Sequence, residues 1–393
     1  MKRNPRVYKG SPCLICHQEA TPVSFHQFYY RRPQTYLTTM MSALGIRAST
    51  FRAWSHSLPA RFSMVQPRSP SLCRAISTTP FVCTDGHIET PSNAELRAAQ
   101  DQASVSPLAP IGVAAAVEAK ANPSSVPARP KIFDEFALRD RVGIISGGNR
   151  GLGLEMAMAL CEAGARAVYC LDVTKEPSED WVAVKDFVGK MGSRLEYMSV
   201  DVRDQKAMWG VGEKIGDKEG RMDFCVAAAG ILKQHTPCLG YPEKQFRDVM
   251  DINVNGVFFT AQAAGRQMER FGTPGSIILI ASMSGSITNH GHAWTSYNSS
   301  KSAVIQMARS MACELAPANI RVNSLSPGHI YTKMTAAYLD AQPHLLAKWS
   351  SLNPMGRIGR VDEMRGPIVW LASDASSFCT GSDILVSGGH HAW

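Results

Sequence analysis

The chain has 393 residues, enough for one large domain or two, and a formal net charge of +8. That charge is uneven: residues 1–130 carry 14 Lys and Arg against 6 Asp and Glu, whereas residues 131–393 carry 27 of each. A nucleic-acid-binding protein would set its basic charge on a folded surface; here the charge lies in a segment that does not read as folded, and no run of 18 or more apolar residues marks a membrane span, so neither nucleic acid nor membrane is expected as a partner.

Residues 21–84 contain no Asp or Glu and seven Arg, with frequent Ser and Thr. This is the composition of an organellar presequence, which is read as a basic amphipathic helix. Residues 41–58 give such a run, with Leu44, Ile46, Phe51 and Trp54 among arginines. Residues 74–79 resemble a mitochondrial cleavage region, and Met40, Met41 or Met64 would serve as alternative starts. Import into the mitochondrial matrix is the expectation for residues 1–84; the alternative is a cytoplasmic protein with a disordered basic tail. Cys13 and Cys16-His17 match a haem-attachment spacing. They have no folded neighbourhood, so chance explains them and no metal is expected. Cys161, Cys170, Cys225, Cys238, Cys313 and Cys379 lie in apolar segments and read as buried free thiols. Residues 85–130 are rich in Ala, Pro and Ser and read as a linker.

From residue 131 to 393, apolar β-type runs alternate with helical segments. Strands are expected at residues 142–146, 167–171, 195–200, 224–228, 276–281, 321–325 and 383–386. Helices are expected at 153–163, 245–271 and 296–315. Continuously apolar strands separated by helices imply a parallel sheet covered on both faces. The fold class is α/β: a single, doubly wound, Rossmann-type domain with a seven-stranded parallel sheet and a disordered N-terminal extension.

Ser146-Gly147-Gly148-Asn149-Arg150-Gly151-Leu152-Gly153 follows the first strand and opens the first helix. Glycines 147, 151 and 153 permit a tight turn and close approach of a pyrophosphate to the helix N-terminus. The context of strand, turn and helix lifts this above a bare motif. Asp172 ends the second strand, where a carboxylate accepts from an adenosine ribose and repels a 2′-phosphate. Arg150 argues the other way, since a guanidinium pairs with that phosphate. The balance favours NAD, with NADP possible. Asp201 and Val202 would flank the adenine; Asp201 could also cap a helix.

Tyr297 and Lys301 are four residues apart on an expected helix and so share one face, roughly 5–6 Å apart at the base. A phenol with a pKa of about 10 is lowered by a neighbouring cation, and a tyrosine so tuned gives a proton to a carbonyl oxygen or takes one from an alcohol. Taken with the glycine turn, Asp201, Ala227-Ala228-Ala229-Gly230, Asn253-Val254-Asn255-Gly256, Ser282 and the segment Pro327-Gly328-His329-Ile330-Tyr331-Thr332, this region resembles the classical short-chain dehydrogenase/reductase family over residues 141–393. The family usually has two asparagines where this chain has Ala227 and Ala228. The resemblance implies that Tyr297 is the general acid in reduction and the base in oxidation, that Lys301 lowers its pKa and holds the nicotinamide ribose, and that Ser282 bonds the substrate oxygen. It implies that Asn253 anchors a water chain to Lys301. It places Gly147, Asn149, Arg150, Gly151, Leu152, Gly153, Asp172, Asp201, Val202, Ala228, Gly230, Asn253, Tyr297, Lys301, Pro327, Gly328, Ile330 and Thr332 on the dinucleotide. Ser284, 13 residues before Tyr297, competes with Ser282; alignment without gaps along the strand favours Ser282.

His290, His292, Trp294, His329, Met334 and Tyr338 would line the substrate side. Histidine and Trp suit a small polyhydroxylated ligand, whereas a long acyl chain or steroid wants aliphatic walls. Residues 280–285 and 388–393 resemble fungal polyol and ketose reductases of the D-arabinitol 2-dehydrogenase, mannitol 2-dehydrogenase and L-xylulose reductase type. The expected reaction is therefore polyol to ketose. The alternatives are a carbonyl reductase of secondary metabolism, a 3-oxoacyl reductase, and a non-catalytic dinucleotide-binding scaffold. The apolar last strand and Trp393 resemble the segment through which family members form homotetramers.

Overall fold

The computed structural model describes residues 110–124, 129–233, 235–332, 335–336, 339 and 342–393. The presequence-like segment, the motif at residues 13–17, most of the linker, Met334 and Tyr338 lie outside the described residues. Among those described, no helix is long and apolar enough to cross a membrane.

Two helices come first: α1 (Gly112–Ala121), which buries none of its residues, and the short α2 (Ile132–Glu135). The alternating domain then runs β1 (Val142–Ser146), α3 (Gly151–Glu162), β2 (Ala167–Asp172), α4 (Glu179–Gly189), β3 (Arg194–Ser199), α5 (Gln205–Glu219) and β4 (Phe224–Ala227). It continues with α6 (Glu243–Met250), α7 (Val257–Phe271), β5 (Gly275–Ile280), α8 (Thr295–Leu315), β6 (Ile320–Pro327) and β7 (Ile330–Tyr331). The last elements are α9 (Pro343–Ser351), β8 (Gly359–Arg360), α10 (Arg365–Ala372) and β9 (Asp383–Val386).

Seven strands form one parallel sheet in the order β3-β2-β1-β4-β5-β6-β9. β1, β4 and β5 are buried at every residue, because each faces helices on both sides. Successive side chains point to opposite faces. Ile144 packs under α5, α7 and α8 with Met208, Val257 and Val304. Ile145 packs under α3, α4 and α10 with Leu154, Trp181 and Ile368. The strand order reverses between β1 and β4. In such a sheet the crevice for a ligand opens beyond the strand carboxyl ends at that switch point.

The opposite end is tied by ions. Glu219, at the end of α5 with a side chain only 4 % exposed, accepts from Arg194 at 2.7 Å and from Arg166 at 3.3 Å, and from the Tyr169 hydroxyl. Burial pushes its carboxyl up, but the two guanidiniums and the phenol together hold it below its ordinary value.

Three features depart from expectation. The single helix expected at residues 245–271 is broken at Asp251–Gly256 by a π turn. β7 and β8 make a separate two-stranded ladder, which two-residue strands leave without a periodic signal. Finally, Cys238 and Cys313 are exposed and Cys379 is half-buried; only Cys161, Cys170 and Cys225 are buried. Cys313 lies on the outer face of α8 and Cys238 in a surface turn, so an apolar neighbourhood in sequence did not mean burial.

Candidate active site

The glycine turn shapes the first part of the crevice. Gly147 has φ +70°. A Cβ on Gly153 would stand 2.1 Å from the Gly147 carbonyl oxygen, so α3 can start against the turn only with glycine there. Arg150 precedes α3 in an extended conformation, and no side chain among the described residues caps the helix. Its first N–H groups are open to an anion that the helix dipole favours. Asn149 is buried and holds the turn to the loop after β2: Nδ2 donates to Thr174 Oγ1 at 2.9 Å, and Oδ1 accepts from Ser178 N at 2.7 Å. Leu152 is half-buried against the α3 side of the core.

Asp172 leaves β2 beside this turn. Its carboxylate accepts from Val173 N at 2.8 Å and from Asn149 N at 3.3 Å, which fixes a negative charge at the strand end. Arg150 is exposed. Asp201 binds Arg203 through both carboxylate oxygens, with Nη2 at 2.6 Å. It does not cap α5. Asp204 does, accepting from Ala207 N at 3.0 Å, because a cap must stand directly before the first helical residue. The Arg203 guanidinium holds the Asp201 carboxyl below its usual range. Val202 is buried against Gly256, whose absent Cβ would lie 2.6 Å from the valine Cγ2. Ala228 and Ala229 press on Gly147, and Ala229 N donates to Ser146 Oγ at 3.3 Å. Ala228 thus packs at one of the two positions where the family usually has asparagine, and Ala227 is buried in β4 at the other.

The chemical centre is gathered from the exit of β5, the inner face of α8 and the π turn. Ser282 follows β5. Its Oγ accepts from Ser284 N at 3.2 Å, and its nearness to the Tyr297 hydroxyl draws that phenol's pKa down. Both Ser282 and Ser284 are buried here, and Ser282 is the one that draws the phenol's pKa down. Tyr297 and Lys301 share the inner face of α8. The tyrosine hydroxyl is enclosed although the residue keeps some exposure, and Lys301 is buried. Lys301 Nζ donates to the Ile280 carbonyl at 2.8 Å and stands 5.7 Å from the Tyr297 ring centroid.

The expected lowering of Tyr297 by Lys301 does not hold in this arrangement. Burial raises the phenol above its ordinary value, and the Ser282 bond only partly offsets that. Burial also pulls the Lys301 ammonium down to about 8. Desolvation is the first cause for both groups.

Asn253 sits fully buried in the π turn, a deformation that often marks functional positions. Its Oδ1 accepts from Ile231 N at 2.8 Å, and its Nδ2 donates to Ile231 O at 2.9 Å and Ser300 Oγ at 3.0 Å. It thereby joins the exit of β4 to α8. Asn253 Oδ1 and Lys301 Nζ face one space: a Cβ on Gly230 would lie 3.4 Å from the first and 3.5 Å from the second. The missing Cβ leaves a cradle bounded by a donor and an acceptor. With the uncapped α3 and the charge of Asp172, these residues fit a dinucleotide laid across the switch point.

Pro327 ends β6, and Gly328 N donates to Val386 O at 2.9 Å. Ile330 is buried in the β7–β8 ladder, and Thr332 bonds Thr335 at the entry to the next turn. His329 stacks flat on Trp349 of α9, with centroids 4.2 Å apart and planes at 6°. His292 stacks on Trp294 at 4.2 Å. Trp294, Leu339, Leu345, Trp349 and Ile358 form a small separate core with Tyr297 packed against it. Burial holds His329 neutral, down to about 3.

Sequence reasoning missed His235 and His390 as members of this wall. His235 accepts from Ala293 N at 3.1 Å, and His390 meets His329 edge-on at 5.3 Å. His290 is exposed.

A family model described as enoyl-(acyl carrier protein) reductase matches residues 147–391. The chain is 39% identical to a sorbose reductase of Schizosaccharomyces pombe over 256 residues, covering 65% of this chain and 97% of that protein. It is 35% identical to a ribulose-forming D-arabinitol 2-dehydrogenase of Candida tropicalis over 272 residues, covering 67% and 96%. Among solved structures, a short-chain type dehydrogenase/reductase from Mycobacterium marinum superimposes with a TM-score of 0.59 at 37% identity, covering 65% of this chain and 97% of that one. A gluconate 5-dehydrogenase from Burkholderia cenocepacia, in complex with NADP and tartrate, does so with a TM-score of 0.61 at 29% identity, covering 66% and 99%.

Proposed function

This chain belongs to the short-chain dehydrogenase/reductase family and is a nicotinamide-dependent oxidoreductase acting on CH–OH groups, and from that premise we propose that it interconverts a polyol and its ketose at a secondary alcohol. The observation that carries the reading is the histidine- and tryptophan-lined wall, formed by His292, Trp294, His329 and Trp349, set against Tyr297. Polar rings and flat faces suit a hydroxylated chain. The relatives named for sorbose and D-arabinitol support it.

The bound nicotinamide supplies or accepts the hydride. In reduction Tyr297 gives its hydroxyl proton to the carbonyl oxygen as the hydride reaches the carbonyl carbon; in oxidation the phenolate takes it back. Ser282, beside the phenol, donates to the same substrate oxygen as charge develops there. Lys301 and Asn253 bound the space beneath, where Lys301 would hold the ribose hydroxyls. Pro327, Gly328, Ile330 and Thr332 would border the nicotinamide.

A panel with purified protein tests this: ribulose, xylulose, fructose and sorbose against a 3-oxoacyl thioester and an enoyl thioester. The reading requires the highest kcat/KM on a ketose. A thioester substrate preferred over every ketose refutes it.

For the cofactor we propose NAD, because the Asp172 carboxylate is held by two backbone N–H groups at the strand end and repels a 2′-phosphate. Asp172→Ser shifts the NADP-to-NAD ratio of kcat/KM at least about tenfold toward NADP, the equivalent of about 1.4 kcal/mol. An unchanged ratio counts against Asp172 as the selector.

We also propose mitochondrial import of residues 1–84 and a homotetramer built on the outer strand β9. The half-buried residues of β9 at the sheet edge support the latter. Fractionation of tagged full-length protein and its mass in solution test the two. Purely cytosolic protein, or a monomer mass, contradicts them.

A further inference from the structure

Trp349 reaches two loops at once. Its indole Nε1 donates to His292 Nε2 at 3.1 Å, its ring covers His329, and its edge meets Trp294 at 6.4 Å. Only 4 % of Trp349 is exposed. The hydrogen bond decides the state of His292. An indole N–H can only donate, so His292 Nε2 must present a lone pair, and a neutral ring then carries its proton on Nδ1. A protonated ring would turn one donor against another.

We propose that Trp349 is a positioning residue that fixes His292 as the Nδ1–H tautomer, so that His292 offers a single donor to a substrate hydroxyl and loses substrate affinity when it is protonated. Only the identity of that hydroxyl rests on the polyol reading above.

The surroundings favour the neutral ring. His292 is faced by Lys348 of α9, by His235 of the loop after β4, by His290 of its own loop, and by His329 across the indole. Lys348, His235 and His290 are cations or can become cations, whereas His329 stays neutral. Burial first, and then these charges, hold His292 below its ordinary value. The donor arrangement is therefore complete at neutral pH and is lost only once the pH falls below the lowered value of His292, which lies under the ordinary histidine value.

The test uses the full chain labelled with nitrogen-15 in histidine. Long-range nitrogen–proton spectra are recorded for the wild type and Trp349→Phe, with His292→Gln assigning the signal. The wild-type ring is expected to be protonated at Nδ1 and to titrate below the ordinary value. In Trp349→Phe the tautomers mix and the titration moves up. With the best substrate of the panel, Trp349→Phe raises KM about five- to tenfold, more than it lowers kcat, and flattens the rise of KM toward acid. His292→Gln, whose amide oxygen accepts the indole proton, removes the acid rise of KM, and His292→Ala raises KM further than His292→Gln does.

A wild-type ring protonated at Nε2, or equal titration in wild type and Trp349→Phe, overturns the proposal. So does an equal KM for His292→Gln and His292→Ala, which decides the matter if Trp349→Phe does not fold. A correct tautomer with no turnover of any ketose refutes the polyol reading alone.

Discussion

Tyr297→Phe lowers turnover by about 10²- to 10⁴-fold, the usual worth of a positioned acid–base group, while the dissociation constant for the dinucleotide stays within about threefold, less than the effect of one net hydrogen bond. The separation follows from the geometry. The phenol hydroxyl meets Ser282 and projects where the substrate oxygen must lie, whereas the glycine turn, Asp172 and the Gly230 cradle bind the dinucleotide from other strand ends. The ring itself packs against the Trp294 and Trp349 core, and Phe keeps that packing. Turnover by rapid mixing and dinucleotide binding by fluorescence read the two effects separately. Wild-type turnover in the variant would remove Tyr297 from the mechanism.

The second expectation is loss of stability in mild acid. His329 is held neutral in the fold, down to about 3, against an ordinary value of about 6.5 in the unfolded chain. Between those two values the unfolded state binds the extra proton. Stability therefore falls as pH falls through that window and is flat above it. From pH 7 to pH 5 this single ring costs about 2 kcal/mol. His292 and His390 are lowered by burial as well and act in the same direction. His329→Phe keeps an aromatic face on Trp349 and removes the titration. Urea denaturation at the two pH values should show a pH dependence smaller in the variant by about 2 kcal/mol. Equal losses in wild type and variant would mean that His329 is reached by water and protons in the folded state.

How much of this was legible in the sequence depended on whether the signal was local. All seven strands of the main sheet lie within one or two residues of the expected places, and in β1, β2, β4 and β5 the signal is a nearly continuous apolar run. The glycine turn was legible for the same reason: strand, Gly147, Gly153 and helix are adjacent in the chain. The π turn at Asp251–Gly256 was not, because its six residues keep the apolar pattern of the helices on either side. Nor was the cap of α5, where Asp201 and Asp204 are equally plausible until the helix start is fixed. The electrostatics of Tyr297 and Lys301 were misjudged because spacing reports proximity and says nothing of burial, which dominates both groups. The wall of His235, His292, His329, Trp349 and His390 comes from five separate segments. No periodicity joins such residues, and only the closing of the sheet brings them together.

The most direct measurement of the central claim follows the hydride. The purified protein is incubated with a ketose and with NADH deuterated at the reactive position of the ring, and the product is examined by mass spectrometry. The account predicts a polyol carrying one deuterium on the former carbonyl carbon, formed by the wild type and lost with Tyr297→Phe. A polyol without deuterium, or no polyol from any ketose of the panel, would contradict it.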